Sequence, residues 1–340
     1  MSTRSASERP NIRQVAENAG VSHMTVSRVL NGHPNIKEST RDRVLAAVEE
    51  LGYRPNIAAR ALATQRTLRI GAIVETEAEF GPASALRAIH RAARQRGYSV
   101  SSIALDEDDS ADAGQAFRQL AGLGIDALCL VTPRSSSVAA LRALAPEMPV
   151  LVVKPDREDE LLRVCVDQQL GVTMAVDHLA ALGHRDILHV SGPMDWLDAR
   201  ARERAFRART RSWGMPERPI VAGDWSADFG YDFAVGLQRR PDYTAIFAAN
   251  DQVALGIVHG LHDRGISVPG ELSIVGFDDA PFSRHSIPPL TTVRQPFEML
   301  GAAVVDVLLA AIEGRPLPQR TKIPPELIVR LSTAKARETP

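Results

Sequence analysis

From Leu68 onward, short and nearly continuous apolar runs alternate with amphipathic stretches. The runs Leu68–Glu75, Tyr98–Leu105, Asp126–Pro133, Pro149–Lys154, Arg163–Asp167, Asp186–Gly192, Pro219–Trp225, Ala245–Asn250 and Leu272–Asp279 read as strands. Stretches such as Ala83–Arg96 and Asp251–Arg264 between them read as helices. Apolar strands with helical crossovers mean parallel sheets covered on both faces. About nine strands divide better into two doubly wound lobes than into one sheet. Ligands of such sheets bind beyond the carboxyl ends of the strands, so the residues that end the runs are the candidates for a site.

Before Leu68 the apolar positions recur at helical spacing. Ile12–Asn18 is a short helix with Val15, Ala16 and Ala19 inward; Gly20 supplies a turn and Val21 plugs it. Ser22 is suited to cap a second helix in which Val26, Val29 and Leu30 face inward. A third helix begins near Ser39, buries Val44, Ala47, Val48 and Leu51, and ends at Gly52 ahead of Pro55. The second helix carries few carboxylates and several small donors on its outer face, the form of a helix that enters a DNA major groove. Asn56–Thr67 is Ala-rich and too poor in large apolar residues to bury a face alone, so it is expected to become helical only when held by a partner surface.

Length and charge sharpen this division. The 340 residues exceed one ordinary core. Residues 1–69 hold 11 Lys and Arg against 6 Asp and Glu, and the remainder hold 29 against 35. A basic head on an acidic body suits a polyanion partner for the head alone. Cys129 and Cys165 lie in apolar runs and read as buried hydrophobes. Neither a secretory signal nor a membrane-spanning run is visible, which points to a cytoplasmic protein with no membrane partner.

The head VAENAGVSHMTVSRVLNG, the linker RPNIAARALA and the body segments GDWSA, ANDQVALG, VGFDD and IPPLTTVRQP, in this order and spacing, resemble the lactose-repressor (LacI/GalR) family of bacterial transcription regulators. The likeness runs from about residue 11 to about residue 333 and is strongest to the galactoside-responsive branch, through Arg202, Gly223-Asp224 and Trp225. It implies an α/β chain: an all-α helix-turn-helix head over residues 1–55, a hinge helix over 56–67, and a periplasmic-binding-protein-like body of two lobes. One lobe would comprise 68–166 plus 294–325, and the other 167–293 plus 326–335.

The same resemblance implies site residues. His23, Met24 and Arg28 would touch base edges, Arg28 by a bidentate bond to guanine. Ser22, Thr25, Ser27, Asn31 and Asn56 would touch the DNA backbone. Leu62, flanked by Ala59 and Ala63, would wedge into the minor groove at the centre of a near-palindromic operator read by a homodimer. Glu75, Lys154, Arg202, Trp225, Asn250, Asp278, Gln295 and Phe297 would line an effector cleft for a small sugar. Asp278 would accept from a diol, and Trp225 would stack on a pyranose ring. Effector closing the lobes would separate the hinge helices and lower operator affinity.

Four positions depart from the pattern. Lys154 stands where sugar-binding relatives often carry aspartate, Glu75 and Glu79 where galactoside-responsive members carry small or apolar residues, and Glu107 where some members carry arginine. Lys154 would pair with Glu75 across the cleft or bind an acidic effector. The rival readings are a sugar-binding transport protein, disfavoured by the basic head, and an activator or co-repressed regulator of an acidic ligand. No leucine heptad follows ELIVRLST, so a dimer is expected rather than a coiled-coil tetramer. No catalytic residue, cofactor or metal is expected. G-x-G-x-x-G, P-loop and G-x-S-x-G motifs are missing, and Asp106-Glu107-Asp108-Asp109 lacks a calcium loop's turn glycine and final carboxylate, having Ala111 and Phe117 there.

Overall fold

The structure, a computed structural model, describes residues 10–30, 33, 35–53, 66–76, 78–105, 113–131, 134–144, 147–153, 161–237, 241–319 and 321–337. The expectations at Asn31, Asn56, Ala59, Leu62, Ala63, Glu107 and Lys154 lie outside these residues. Two units, residues 1–67 and 68–340, make up the chain.

In the first unit α1 (Ile12–Ala19), α2 (His23–Leu30) and α3 (Glu38–Glu50) surround a core of Val15, Ala16, Ala19, Val26, Val29, Val44 and Ala47. Asn11 caps α1: its Oδ1 accepts from the Arg13 and Gln14 amides, and Gln14 Oε1 accepts from the Asn11 amide at 2.8 Å. Gly20, at φ 63°, makes the left-handed exit that redirects the chain into α2. Ser22 caps α2 through its Oγ, which accepts from the Thr25 amide at 3.1 Å.

The second unit contains two six-stranded sheets. The first is built from β1 (Arg69–Val74), β2 (Ser99–Ala104), β3 (Ala127–Val131), β4 (Val150–Val153) and β5 (Leu162–Val166), with β11 (Lys322–Ile323) on its edge, in the order β11-β5-β4-β3-β1-β2. The second is built from β6 (Ile187–Ser191), β7 (Val221–Ala222), β8 (Ala245–Ala248), β9 (Ser273–Asp278), β10 (Thr291–Arg294) and β12 (Glu326–Ile328), in the order β12-β10-β9-β8-β6-β7. Every pairing is parallel except β10 with β12. β1, β3, β4 and β9 are buried almost throughout, which is why their sequences are unbroken apolar runs, whereas the edge strand β2 is not.

The helices cover both faces. α4 (Phe80–Gln95), α5 (Ala113–Gly122), α6 (Ser135–Leu144) and α11 (Phe297–Ile312) pack on the first sheet; α7 (Gln168–Ala181), α8 (Leu197–Ser212), α9 (Ala227–Val235) and α10 (Asp251–Asp263) pack on the second. The chain passes between sheets three times: β5 into α7, β10 into α11, and β11 into β12. Two expectations need correction. The run Pro219–Trp225 yields only Val221–Ala222 as strand, because the backbone turns to bring Trp225 to φ 73°. The pattern also leaves out β10, whose four residues include two threonines and an arginine, and β11, of two residues, while β12 falls within the strand-like run ELIVRLST.

Candidate functional site

On the head, Ser22, His23, Met24 and Arg28 are exposed, and Met24 and Arg28 stand on the side of α2 away from Val26 and Val29. Met24 keeps 56% of its surface, a large apolar group with no intramolecular use. Thr25 and Ser27 are half-buried, and the Thr25 hydroxyl lies 2.9 Å from that of Ser22.

The body contains a cavity of about 620 Å³, counting its opening to solvent. Of the eight residues expected to line a cleft, Arg202, Trp225, Asn250, Asp278, Gln295 and Phe297 line it. Glu75 does not. It is buried at the end of β1, where its Oε1 accepts from the Arg134 amide at 2.9 Å and its Oε2 lies 3.8 Å from Arg134 Nε. A partner for Lys154 is therefore not what this carboxylate needs to be satisfied.

Each polar group is held by its own element. Asp278 ends β9 at φ 116° and accepts from Gln295 Nε2 at 2.7 Å; Arg202 Nη2 stands 4.0 Å away. Its neighbour Asp279 has a different task, accepting from Arg294 Nε and Arg330 Nη2 at 2.7 and 2.5 Å. Arg202, on α8, donates from Nε to Gln168 Oε1 at 2.8 Å and from Nη1 to the Ala249 carbonyl, and its guanidinium lies 3.9 Å over the Phe277 ring. Asn250 caps α10 by accepting from the Val253 amide at 2.8 Å and donates to the Trp225 carbonyl at 2.9 Å. It thus fixes the left-handed backbone of Trp225. The Trp225 ring packs edge-on against Trp196 at 5.9 Å, and a Cβ at Gly192 would come within 2.4 Å of it. Trp225 Nε1 finds no acceptor among the described residues.

The expectation missed Gln168, Trp196 and Asp198, which also line the cavity, as does Glu79, named above only as a departure from the family pattern. Gln168 directly follows a strand, so the strand-end rule offered a signal for it; Trp196 and Asp198 stand at the start of α8, where no sequence period marks them. Gly81, Pro82, Ala85, Val153, Val166 and Leu300 supply an apolar wall. Burial raises the Asp278 carboxyl to about 6, although Arg202 and Gln295 act in the opposite sense. Burial, joined by the Asp278 charge, raises Asp251 to about 7. Burial also pushes the Cys165 thiol on the cavity wall up to about 11, which keeps it neutral and unreactive. A donor, an acceptor, a flat aromatic face and an apolar wall in one cavity fit a polar ligand with apolar ring faces.

Residues 11–56 match the model of bacterial regulatory proteins of the lacI family, and residues 176–333 match a periplasmic binding protein-like domain. The chain is 33% identical to the lactose operon repressor of Escherichia coli (strain K12), over 94% of this chain and 89% of that protein. It is 34% identical to catabolite control protein A of Priestia megaterium, over 87% of this chain and 91% of that protein. Among solved structures, the lac repressor dimer bound to operator and the anti-inducer ONPF superposes with a TM-score of 0.85 at 31% identity, covering 96% of this chain and all of that one. Near-equal identity to relatives with different names sets the galactoside branch apart from no other. Among the described residues no helix is long and apolar enough to cross a membrane. The chain belongs to the lacI family of bacterial regulatory proteins, whose members are DNA-binding regulators of transcription.

Proposed function

We propose that this protein is a repressor that binds a near-palindromic operator as a homodimer and releases it when a small sugar, a β-galactoside or similar β-linked glycoside, enters the cavity. His23, Met24 and Arg28 read base edges in the major groove, and Ser22, Thr25, Ser27, Asn31 and Asn56 set the register on the phosphates. The segment with Ala59, Leu62 and Ala63 enters the minor groove. Resemblance to the lac repressor dimer on its operator supports these roles, as does the exposed face of α2.

The observation that carries the effector reading is the pairing of Arg202 with Asp278 beside Trp225. Arg202 has Nη2, and Asp278 has Oδ2, in hand after their internal bonds are counted. A guanidinium and a carboxylate whose facing atoms, Nη2 and Oδ1, stand 4.0 Å apart suit two adjacent hydroxyls, while the indole covers the apolar face of the ring. Effector closing the lobes would change the spacing of the two hinge segments in the dimer, at a coupling of roughly 1–3 kcal/mol.

The test has two steps. A thermal-shift screen of mono- and disaccharides should find a β-glycoside that raises the melting temperature, and selection from random duplexes at physiological salt should return a near-palindrome that this sugar releases. Absence of any preferred duplex over bulk DNA, or equal operator affinity with and without saturating sugar, contradicts the reading.

A further inference from the structure

Four side chains at the floor of the cavity close a ring of polar contacts. Arg202 Nε donates to Gln168 Oε1 at 2.8 Å, Gln168 Nε2 donates to Gln295 Oε1 at 3.1 Å, and Gln295 Nε2 donates to Asp278 Oδ1 at 2.7 Å. Asp278 Oδ1 then faces Arg202 Nη2 at 4.0 Å. All four residues are buried. The direction of the chain is dictated by its ends: a guanidinium can only donate and an ionised carboxylate can only accept, so each glutamine amide has one permitted orientation.

The ring joins two kinds of place. Arg202 and Asp278 belong wholly to the second lobe and face the cavity. Gln168 opens α7 immediately after the crossing from β5, and Gln295 lies in the crossing from β10 to α11. The third crossing is tied to both: Lys322 Nζ meets Asp167 Oδ2 at 2.9 Å, and Arg294 Nη1 meets Glu326 Oε2 at 3.2 Å. The two ligand-facing charges are therefore wired through two amides into the segments that set the angle between lobes.

We propose that this ring transmits occupancy of the cavity to the lobe crossings, with Gln168 as the positioning residue; this rests on the reading of the cavity as the effector site. A hydroxyl that engages Arg202 and Asp278 draws on the groups that hold the two glutamines. The glutamine amides are flanked on both sides by ring partners, so the ring answers by shifting the backbone that carries them. Both polar ends of Gln168 are used in the ring, so it serves the crossings rather than the ligand. A two-position element biased from the cavity and read at the crossings is what coupling between distant sites requires.

The experiment uses full-length protein, its selected operator and methyl β-D-galactoside, with Gln168→Leu and, as a second variant, Gln168→Glu, which keeps the acceptor toward Arg202 but sets oxygen against Gln295 Oε1. In both, the drop in operator affinity caused by saturating sugar should shrink by about tenfold, within the usual range of such couplings. Sugar-free operator affinity should stay within about threefold of the parent, and any loss of sugar affinity should be smaller than the loss of coupling. In the ligand-free variants, amide hydrogens at residues 166–170 and 295–300 should exchange about tenfold faster, a readout of the crossings themselves. Unchanged coupling with unchanged exchange overturns the proposal; so does a parallel fall in sugar affinity and coupling, which would make Gln168 a sugar contact. If the parent protein fails to bind the sugar, the effector reading fails on its own account, and unaccelerated exchange in the variants then separately overturns the ring.

Discussion

The two lobes have sheets of equal size and similar strand order, yet they present opposite surfaces to the cavity between them. The second lobe offers Arg202, Trp225, Asn250 and Asp278, each tied by hydrogen bonds to its own lobe or the crossings. The first offers Pro82, Ala85, Val153 and Val166, with Phe297 and Leu300 from α11, and, among the described residues, the charge of Glu79. Backbone strain follows the same division: Trp225, Asp278 and Asp279 all sit at positive φ beside the cavity. Such residues cost of order 1–3 kcal/mol each and persist only where their surroundings hold them. On the proposed reading of the cavity, recognition is built into the second lobe before a ligand arrives, while the first lobe supplies shape.

The sharpest way to break that contrast is Arg202→Leu. Leucine leaves Asp278 buried without its cation and leaves Gln168 Oε1 and the Ala249 carbonyl without their donor. Removing one partner of a buried charge pair costs about 3–5 kcal/mol, so denaturant unfolding should show a loss of this size together with loss of the sugar-induced thermal shift. Adding Asp278→Leu should restore part of the stability but none of the sugar response, because two apolar groups tolerate burial where one charge does not. A cost below about 1 kcal/mol for Arg202→Leu would mean that the second lobe is not preorganised around this group.

A smaller effect separates folding from binding by pH. Asp278 and Asp251 are raised by burial to about 6 and about 7 in the folded protein, above the ordinary carboxylate value near 4. Folding therefore favours their protonated forms, and the stability they contribute is complete below pH 4 and lost as pH rises through 6 to 7. Sugar hydroxyls that donate to Asp278 need its ionised form, so affinity should run the other way and weaken about tenfold from its plateau to pH 5. The melting temperature of Asp251→Asn should fall less between pH 4 and 7 than that of the parent. Sugar affinity that stays level down to pH 5 would remove Asp278 from the ligand contacts.

How far this site was legible follows from where its residues sit. Trp225, Asn250 and Asp278 end apolar runs, and continuous runs announce buried parallel strands, so the rule that ligands gather at strand ends reached them. The rule also selected Glu75, which ends β1 but turns to the Arg134 amide, because a strand end is a position and not a direction. Gln168 follows the run Arg163–Asp167 and was open to the same rule, whereas Trp196 and Asp198 stand at the start of α8, and Trp196 reaches the cavity by packing with Ala199, Trp225 and Ala249 inside the second lobe, which no period along the chain encodes. Asn250 shows a subtler limit. Its chemistry suits a ligand contact, yet both ends of its amide are engaged in capping α10 and holding Trp225, so it shapes the site through its neighbour.

The first lobe is where the smallest change is expected. Phe297 opens α11, lines the cavity and meets Phe80 edge-to-face, with ring centroids 5.9 Å apart and planes at 79°. Leucine in its place keeps an apolar wall but gives up the aromatic pair, worth about 0.5–1.5 kcal/mol. That loss should appear in unfolding free energy, while calorimetric sugar affinity should move by no more than about threefold, since shape rather than hydrogen bonding is altered. The comparison between lobes depends on this asymmetry. If Phe297→Leu weakened sugar binding as severely as Arg202→Leu, the ring face of the sugar would be anchored from the first lobe, and Trp225 would be serving the fold of the second rather than its ligand.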